Sequence, residues 1–329
     1  MKRFTSLLIP AALFLALACW NGAAKEGAAW GAQLFAQLLL PSLLPFFVLS
    51  QLLSRLGLPK ILERRCGGVM ERCFALPGCA AAALVLGLCG GYPLGAATAA
   101  ALRERGELEQ EDAERLLFFC DNTGPSFAVA AMGGGALGSA AAGALLYLVH
   151  ALSALLLGLL CARGKSCSRR VAPSGEAAPV PPFSKALTES VGAAGGAMLN
   201  VGFFVVFFSA LLSVGRSTGL LRAAERLLCA LTGCPGGSAQ TLVWSFFELS
   251  GSLGLLRELP LSPATLSLAA FALSWGGLCV HFQSAAVTAG AGLSGKWRLP
   301  GKLLQGLLSA GLMYIMSTII FALRPSFFS

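Results

Sequence analysis

The chain has 329 residues, 56% of them hydrophobic and only 12% charged, with a mean hydropathy of +0.75. Soluble domains carry about 25% charged residues, so a water-soluble fold is excluded and the bilayer is the solvent. The formal net charge of +9 does not point to nucleic acid, because no aromatic–basic stripe or zinc-finger spacing accompanies it and the basic residues gather in short loops between apolar runs.

Lys2 and Arg3 precede an apolar run from Phe4 to Trp20, the pattern of a signal peptide, and Asn21-Gly22-Ala23-Ala24 has the look of a cleavage site. Further apolar runs follow at once, so residues 1–30 are read as an uncleaved first helix. Spans are expected near 4–24, 33–54, 114–136, 138–162, 198–215, 263–289 and 303–323, each long enough for ~30 Å of hydrocarbon. Stretches 74–101 and 239–256 are apolar but interrupted, by Leu88-Cys89-Gly90-Gly91-Tyr92-Pro93-Leu94-Gly95 and by Phe247-Glu248-Leu249-Ser250-Gly251-Ser252-Leu253-Gly254. Each is expected to form a re-entrant hairpin of two half-helices too short to span alone. Arg103–Arg115 reads as a solvated polar helix, and residues 163–183, basic and then Pro-rich, as a linker. The expectation is an all-α transmembrane bundle of about seven spans and two hairpins. Its parts are an N-terminal helix (1–30), a first repeat (31–162), a cytoplasmic linker (163–183) and a second repeat (184–329).

Basic residues set the orientation. Arg55, Lys60, Arg64, Arg65 and Arg72 fill one loop, Arg163, Lys165, Arg169 and Arg170 a second, and Lys296, Arg298 and Lys302 a third. With all three inside, only Lys25, Arg216, Arg222, Arg226, Arg257 and Arg324 lie outside, leaving 18 of the 24 Lys and Arg on the cytoplasmic face. A hairpin at 74–101 that crossed the bilayer would put Arg163–Arg170 outside, against this bias.

An internal repeat appears at an offset near 160. Ser50-Gln51-Leu52-Leu53-Ser54 aligns with Ser209-Ala210-Leu211-Leu212-Ser213, Gly91 with Gly251, and Asp121-Asn122-Thr123-Gly124 with His281-Phe282-Gln283-Ser284. The first half starts out-to-in and the second in-to-out, so the halves are expected to be inverted copies, the architecture of secondary transporters.

Four polar breaks then converge: Gly90–Pro93, Asp121–Ser126, Glu248–Ser252 and His281–Ser284. Interrupted helices leave N–H and C=O groups that lipid cannot satisfy, and half-helix N-termini suit anions. Candidate substrate-binding residues are Gly91, Tyr92, Asn122, Thr123, Ser126, Ser250, Gly251, Ser252, Gln283 and Ser284. Gly90, Gly91 and Gly251 would let a ligand approach the backbone closely, while Pro93 and Pro125 fit the first turn of a restarted helix. Asp121 and Glu248 are the acids inside spans or hairpins, and a carboxylate there costs ~2.5–3.5 kcal/mol or more unless paired, protonated or ion-bound. H⁺ or Na⁺ coupling through Asp121, Glu248 and His281 is therefore one reading. Helix capping by an acid such as Asp121, and packing for His281, are the other. Tyr92 is either a substrate contact or an interfacial anchor, His150 is structural, and the run Gly133–Gly138 serves close helix packing.

Of the eleven cysteines, Cys89, Cys120, Cys161 and Cys279 are read as small apolar residues at helix contacts. Cys229 and Cys234 share an outer loop and could pair. No CxxC, nucleophile elbow, HExxH or Walker A is present, and Gly133–Gly138 lacks the βαβ context of a dinucleotide site, so no enzyme, cofactor or metal is expected.

Gly91-Tyr92-Pro93-Leu94-Gly95-Ala96, Leu102-Arg103-Glu104-Arg105-Gly106-Glu107, Ala113–Ser126 with its Asn122-Thr123-Gly124-Pro125, Pro41-Ser42-Leu43-Leu44-Pro45-Phe46 and, more weakly, Glu248-Leu249-Ser250-Gly251 carry a resemblance. With them the chain resembles the YlbJ family of sporulation integral membrane proteins over nearly its whole length. That family carries the nucleoside-recognition Gate domain shared with nucleoside transporters and the ferrous-iron transporter FeoB. The resemblance implies a multi-pass cell-membrane or forespore-membrane protein acting in spore cortex formation, moving dipicolinic acid, a small aromatic dicarboxylate. The expected function is thus a transporter or facilitator of a small anionic solute, its partners being the bilayer, that solute, a coupling ion and a second copy of the chain. The alternatives are a non-transporting scaffold in spore assembly and a nucleoside or cation permease.

Overall fold

A computed structural model describes residues 2–167 and 180–328. The Arg169–Arg170 pair and most of the Pro-rich linker lie outside the described residues. Among those described every regular element is helical, as the apolar composition requires in lipid.

Helix α1 (Lys2–Cys19) ends at Trp20, and α2 runs without a gap from Asn21 to Arg55, through a widened turn at Phe35–Leu39. An amphipathic helix α3 (Leu58–Phe74) follows, then the half-helices α4 (Ala80–Gly90) and α5 (Leu94–Glu104). The short α6 (Gln110–Leu117) and α7 (Ser126–Ala136) flank a break, and α8 (Ala140–Ala162) is a full-length helix. The second half repeats this order. A long helix α9 (Phe183–Ser217) leads to amphipathic α10 (Leu220–Thr232) and to half-helices α11 (Gly236–Phe247) and α12 (Ser252–Arg257). A broken pair α13 (Pro263–Trp275) and α14 (Gly277–Thr288) precedes a full helix α15 (Arg298–Leu323).

Among the described residues, five segments are by length and composition able to cross a membrane: Asn21–Arg55, Ala140–Ala162, Phe183–Ser217, Pro263–Thr288 and Arg298–Leu323. Two of the expected runs are interrupted. The run 4–24 is divided at Trp20, its end joining α2, and 114–136 is two half-helices separated by Phe118–Pro125. Because α2 starts at Asn21, it runs through the expected boundary at residue 30.

The long helices α2 and α9 pack antiparallel. Gly27 faces Ser209 and Ser213, Gly31 faces Ser209 and Val206, and Gly202 faces the Phe35 ring. At the other end Arg55 Nη1 meets Glu189 Oε2 at 2.5 Å. Small residues at this seam let the backbones approach where no hydrophobic force draws helices together. Since the first helix of each half points the opposite way, the two halves are inverted relative to each other. Packing between halves is reciprocal, as a two-fold relation demands: α5 packs on α14, and its counterpart α12 packs on α7. Within each half the amphipathic helix covers the hairpin, α3 on α4 and α10 on α11. α10 is bounded by left-handed glycines, Gly219 and Gly233, and exposes Leu220, Leu227 and Leu231 while Arg222, Glu225 and Arg226 line its polar side, the pattern of a helix lying in a membrane interface.

The loops expected on one side of the membrane are together. Lys165 Nζ bonds Glu111 Oε1 at 2.9 Å, and that contact holds the Glu111 carboxyl below its ordinary range. Gln110 Nε2 donates to Gly292 O at 2.9 Å. The Arg103–Arg115 segment is only partly the solvated helix expected. Asp112 and Glu114 are buried, Asp112 held by Arg115 at 2.9 Å, and Glu114 accepting from the Ser294 amide, the Ser294 hydroxyl (2.7 Å) and the Gly295 amide (3.1 Å). Glu114 thus fastens α6 to the loop before α15.

The first hairpin fits against the first break through two glycines. A Cβ on Gly87 or Gly95 would collide with the main-chain carbonyl of Cys120. Gly95→Ala is therefore expected to cost about 1–3 kcal/mol, read as a lowered Tm of the detergent-solubilised protein. Gly196→Ala, with open space around its Cβ, should be neutral or stabilising by up to ~1 kcal/mol. Equal Tm values for the two variants would contradict this packing.

Candidate functional site

The sequence interrupts its helices where side chains compete with, or cannot support, helical backbone. Gly91 sits at φ +88° between α4 and α5, and a Cβ there would come within 2.9 Å of the Gly124 amide nitrogen, so the hairpin tip rests on the first break. The second half mirrors this. Gly276 and Gly277 both have positive φ, and a Cβ on Gly277 would lie 3.1 Å from Phe247 O and Ser245 O, against the second hairpin tip. The second break is thus at Trp275–Gly277, not at 281–284 as expected from the uniform offset; His281, Gln283 and Ser284 lie inside α14. The first break, Asp121–Gly124, corresponds to Gly276 rather than to His281, because the second half is a few residues shorter between hairpin and break.

Hydrogen bonds tie the two breaks across the repeat boundary. Thr123 Oγ1 donates to Leu273 O at 2.8 Å, and the Thr123 amide donates to His150 Nε2 at 3.1 Å. His150 Nε2 is therefore the acceptor, which places the proton on Nδ1, 2.8 Å from Ser274 Oγ. Ser274 Oγ continues to Ser309 Oγ at 2.8 Å, and Ser153 meets Ser309 at 2.6 Å. Tyr92 OH reaches Ser274 O at 3.4 Å. His150, read as structural, bridges break one, break two and α15.

Where these parts meet there is a small cavity, with about 50 Å³ available to the centres of water-sized molecules, that opens to the outside. Its polar wall is Gly90, Gly91, Tyr92, Thr123, Gly124, Glu248, Ser250 and Gln283. Its apolar wall comes from both long helices (Leu39, Leu43, Val201, Val205) with Phe127, Leu249 and Val280. Glu248 is the one formally charged side chain in this lining. Tyr92 thus faces the cavity and is no interfacial anchor.

The remaining expected residues lie behind the cavity wall. Ser284 Oγ donates to Asp121 Oδ2 at 2.5 Å. Asn122 Nδ2 donates to Phe119 O at 2.8 Å, and its Oδ1 accepts from Lys302 Nζ (3.2 Å) and Gln305 Nε2 (3.1 Å). Ser252 Oγ turns back to Leu249 O at 2.6 Å, Ser126 opens α7 half-buried, and Gly251 is packed under Trp244 and Trp30. His281 stands edge-on to Trp275 with ring centroids 4.4 Å apart. Among the described residues, Asp121 Oδ1 and His281 Nε2 have no hydrogen-bond partner.

The capping role considered for Asp121 belongs to Glu248. Its Oε1 accepts from the Ser250 amide (2.8 Å) and its Oε2 from the Gly251 amide (2.5 Å), closing the turn before α12. No side chain caps α7, whose preceding residue is Pro125. Two residues escaped the sequence reading. Arg298 and Lys302, assigned to a cytoplasmic turn, are buried on the first turns of α15. Arg298 Nη2 donates to His281 O, and Lys302 Nζ to Asp121 O at 2.5 Å and to Gln305 Oε1 at 2.6 Å. Their signal was present: Lys302 and Gln305 stand at i and i+3 on one face of an otherwise apolar helix.

Cys120 and Cys279 are buried, Cys161 is partly buried, Cys89 is exposed rather than at a helix contact, and Cys229 and Cys234 are neighbours with no disulfide between them. No metal-holding cluster occurs among the described residues.

No protein-family model matches the chain. The sporulation integral membrane protein YlbJ of Bacillus subtilis (strain 168) is 27% identical over 310 residues, covering 88% of this chain and 76% of that protein. Two solved structures share the fold, both of CNTnw in outward-facing states of two double variants. One is 15% identical with a TM-score of 0.53, covering 96% of this chain and 86% of that one. The other is 13% identical with a TM-score of 0.52, covering 94% and 87%. The chain is a multi-pass membrane protein of helical, transporter-like fold, similar to a sporulation membrane protein.

Glu248→Gln puts an amide NH₂ where two backbone donors now meet carboxylate oxygens. One donor is left unmet, at a cost of about 1–3 kcal/mol. Gln283→Ala, which removes a weak donation to Cys279 Sγ at 3.3 Å, should leave Tm within a few degrees of the parent. A Glu248→Gln protein as stable as the parent would remove the turn-closing role.

Proposed function

We propose that this chain is a transporter or facilitator that carries a small solute across the bilayer by alternating access, one repeat moving against the other. The observation that carries the reading is the cavity wall: both hairpin tips, the first break and α14 contribute to one polar face, opposite apolar walls from both long helices. Such a cavity, apolar with a few convergent polar groups, is how small-molecule sites are built. In this reading the two inverted repeats, with α2 and α9 as their first helices, are the moving units. A cavity where three interruptions and α14 meet favours carriage of a solute over a scaffold.

Dipicolinic acid is the proposed solute. Similarity to a sporulation membrane protein supports it, and its flat ring suits the apolar wall of Leu39, Leu43, Phe127 and Val280. Its carboxyl groups would be received by Thr123, Ser250, Gln283 and the Gly91 backbone. The amides before α12, expected to hold an anion, are already taken by Glu248, so the acid would enter in its proton-bearing form or together with a cation. Proton coupling through Asp121 and His281 rests on their two unpartnered atoms. Glu248 also favours a second reading, a neutral hydroxylated solute such as a nucleoside, whose hydroxyls donate to a carboxylate.

Flux into vesicles containing only this protein separates the readings. Dipicolinate uptake should exceed that of protein-free vesicles, should rise with an inward pH gradient, and should fall about tenfold or more in Gln283→Ala, a loss equivalent to ~1.4 kcal/mol. Uridine uptake without dipicolinate uptake would replace the solute. Uptake of neither would leave the scaffold.

A further inference from the structure

Lys302 is fully buried, yet its ammonium does not meet a carboxylate. Among the described residues no carboxylate oxygen lies within 4.0 Å of Nζ. Its three protons go to neutral oxygens: the main-chain carbonyl of Asp121 (2.5 Å), the amide oxygen of Gln305 (2.6 Å) and the amide oxygen of Asn122 (3.2 Å). The face of the Tyr92 ring lies 5.2 Å away, a position that favours a cation. Two of the three oxygens belong to the first break, and the ring to the tip of the first hairpin. Three carbonyl-type oxygens and an aromatic face are the surroundings of a desolvated monovalent cation, such as the unwound carbonyls of broken transporter helices provide.

We propose that Lys302 is a tethered cation: α15 delivers, on a covalent stem, the positive charge that holds the first broken helix to the first hairpin, and the oxygens it occupies take no exchangeable sodium or other alkali cation. Arrangement and chemistry agree. The carbonyl end of α6 and the loop after it present partial negative charge, lipid supplies no donor, and the group that donates to the Asp121 carbonyl is Nζ. The Arg298 guanidinium one turn earlier on α15, bonded to His281 O, adds positive charge beside Asp121 and disfavours a second mobile cation. Removing the lysine stem vacates a space lined by those same three oxygens, which a small cation or alkylammonium ion should fill. The inference concerns the coupling ion at one break and does not depend on which solute is carried.

The test is thermal unfolding of the purified, detergent-solubilised protein at constant ionic strength in sodium, lithium, potassium, choline or n-propylammonium chloride. The parent is expected to show the same Tm in every salt. Lys302→Ala should unfold about 5 °C or more lower in choline, and sodium or n-propylammonium should restore at least half of that loss. Lys302→Met, which fills the volume without a charge, should fall similarly and be restored by neither. Absence of restoration in Lys302→Ala, or equal restoration in Lys302→Met, overturns the proposal. If Lys302→Ala cannot be purified, the parent decides: a sodium-specific rise in its Tm overturns the proposal, and indifference to the cation supports it. Because the readout is stability, failure here leaves the transport reading standing, and failure of transport leaves this one standing.

Discussion

Every interrupted helix in this molecule leaves backbone donors and acceptors at a depth where lipid offers none in return. That single constraint organises the structure. The first break is satisfied from outside its own helix, by His150 on α8 and by Lys302 on α15, and its Thr123 hydroxyl in turn satisfies the carbonyl of Leu273 in the second repeat. The second hairpin tip is satisfied by its own acid, Glu248, and is pressed against Gly277. Neither repeat can complete its breaks alone, so the fold is stable only as a pair of copies facing in opposite directions.

The two halves solve the same problem with different residues. In the first the supporting groups are long-range and charged or amphoteric, Lys302, Asn122 and His150; in the second they are local, a carboxylate and two amides. A self-contained tip such as Glu248–Gly251 is bonded within its own hairpin, whereas the first break is tied to α8 and α15 by buried bonds. The second hairpin is therefore the less tethered of the two, resting on the Trp30–Trp244 edge contact at 6.1 Å.

Much of this was legible in the residues. The Gly–Pro and Gly–Ser interruptions at 90–93 and 248–252, the basic loops and the order of elements in the two halves gave the bundle and its inversion, because polarity periodicity and charge bias act locally. What escaped did so for physical reasons. The position of the second break is set by a left-handed pair, Gly276–Gly277, inside a run whose composition is uniformly apolar, while the polar residues His281, Gln283 and Ser284 that drew attention sit on a helix that continues through them. The burial of Lys302 and Arg298 was hidden because a basic residue near a helix end reads equally as a loop anchor, and only the arrival of Asp121 beside α15 distinguishes the two. Glu248 was singled out correctly as a buried acid, but its bonds to Ser250 and Gly251 depend on a turn geometry that no spacing rule specifies.

The opposed direction of the two copies is what brings the interruptions together, and sidedness measures it most directly. In a cysteine-free background, single cysteines at Glu109, Ser166, Thr232 and Gly236 can be labelled with an impermeant maleimide in intact cells and in inverted vesicles. Residues 109 and 166 should react from one face only, and residues 232 and 236 from the other only. Labelling of 109 and 166 from different faces, or of all four from the same face, would contradict the inverted arrangement and with it the shared cavity.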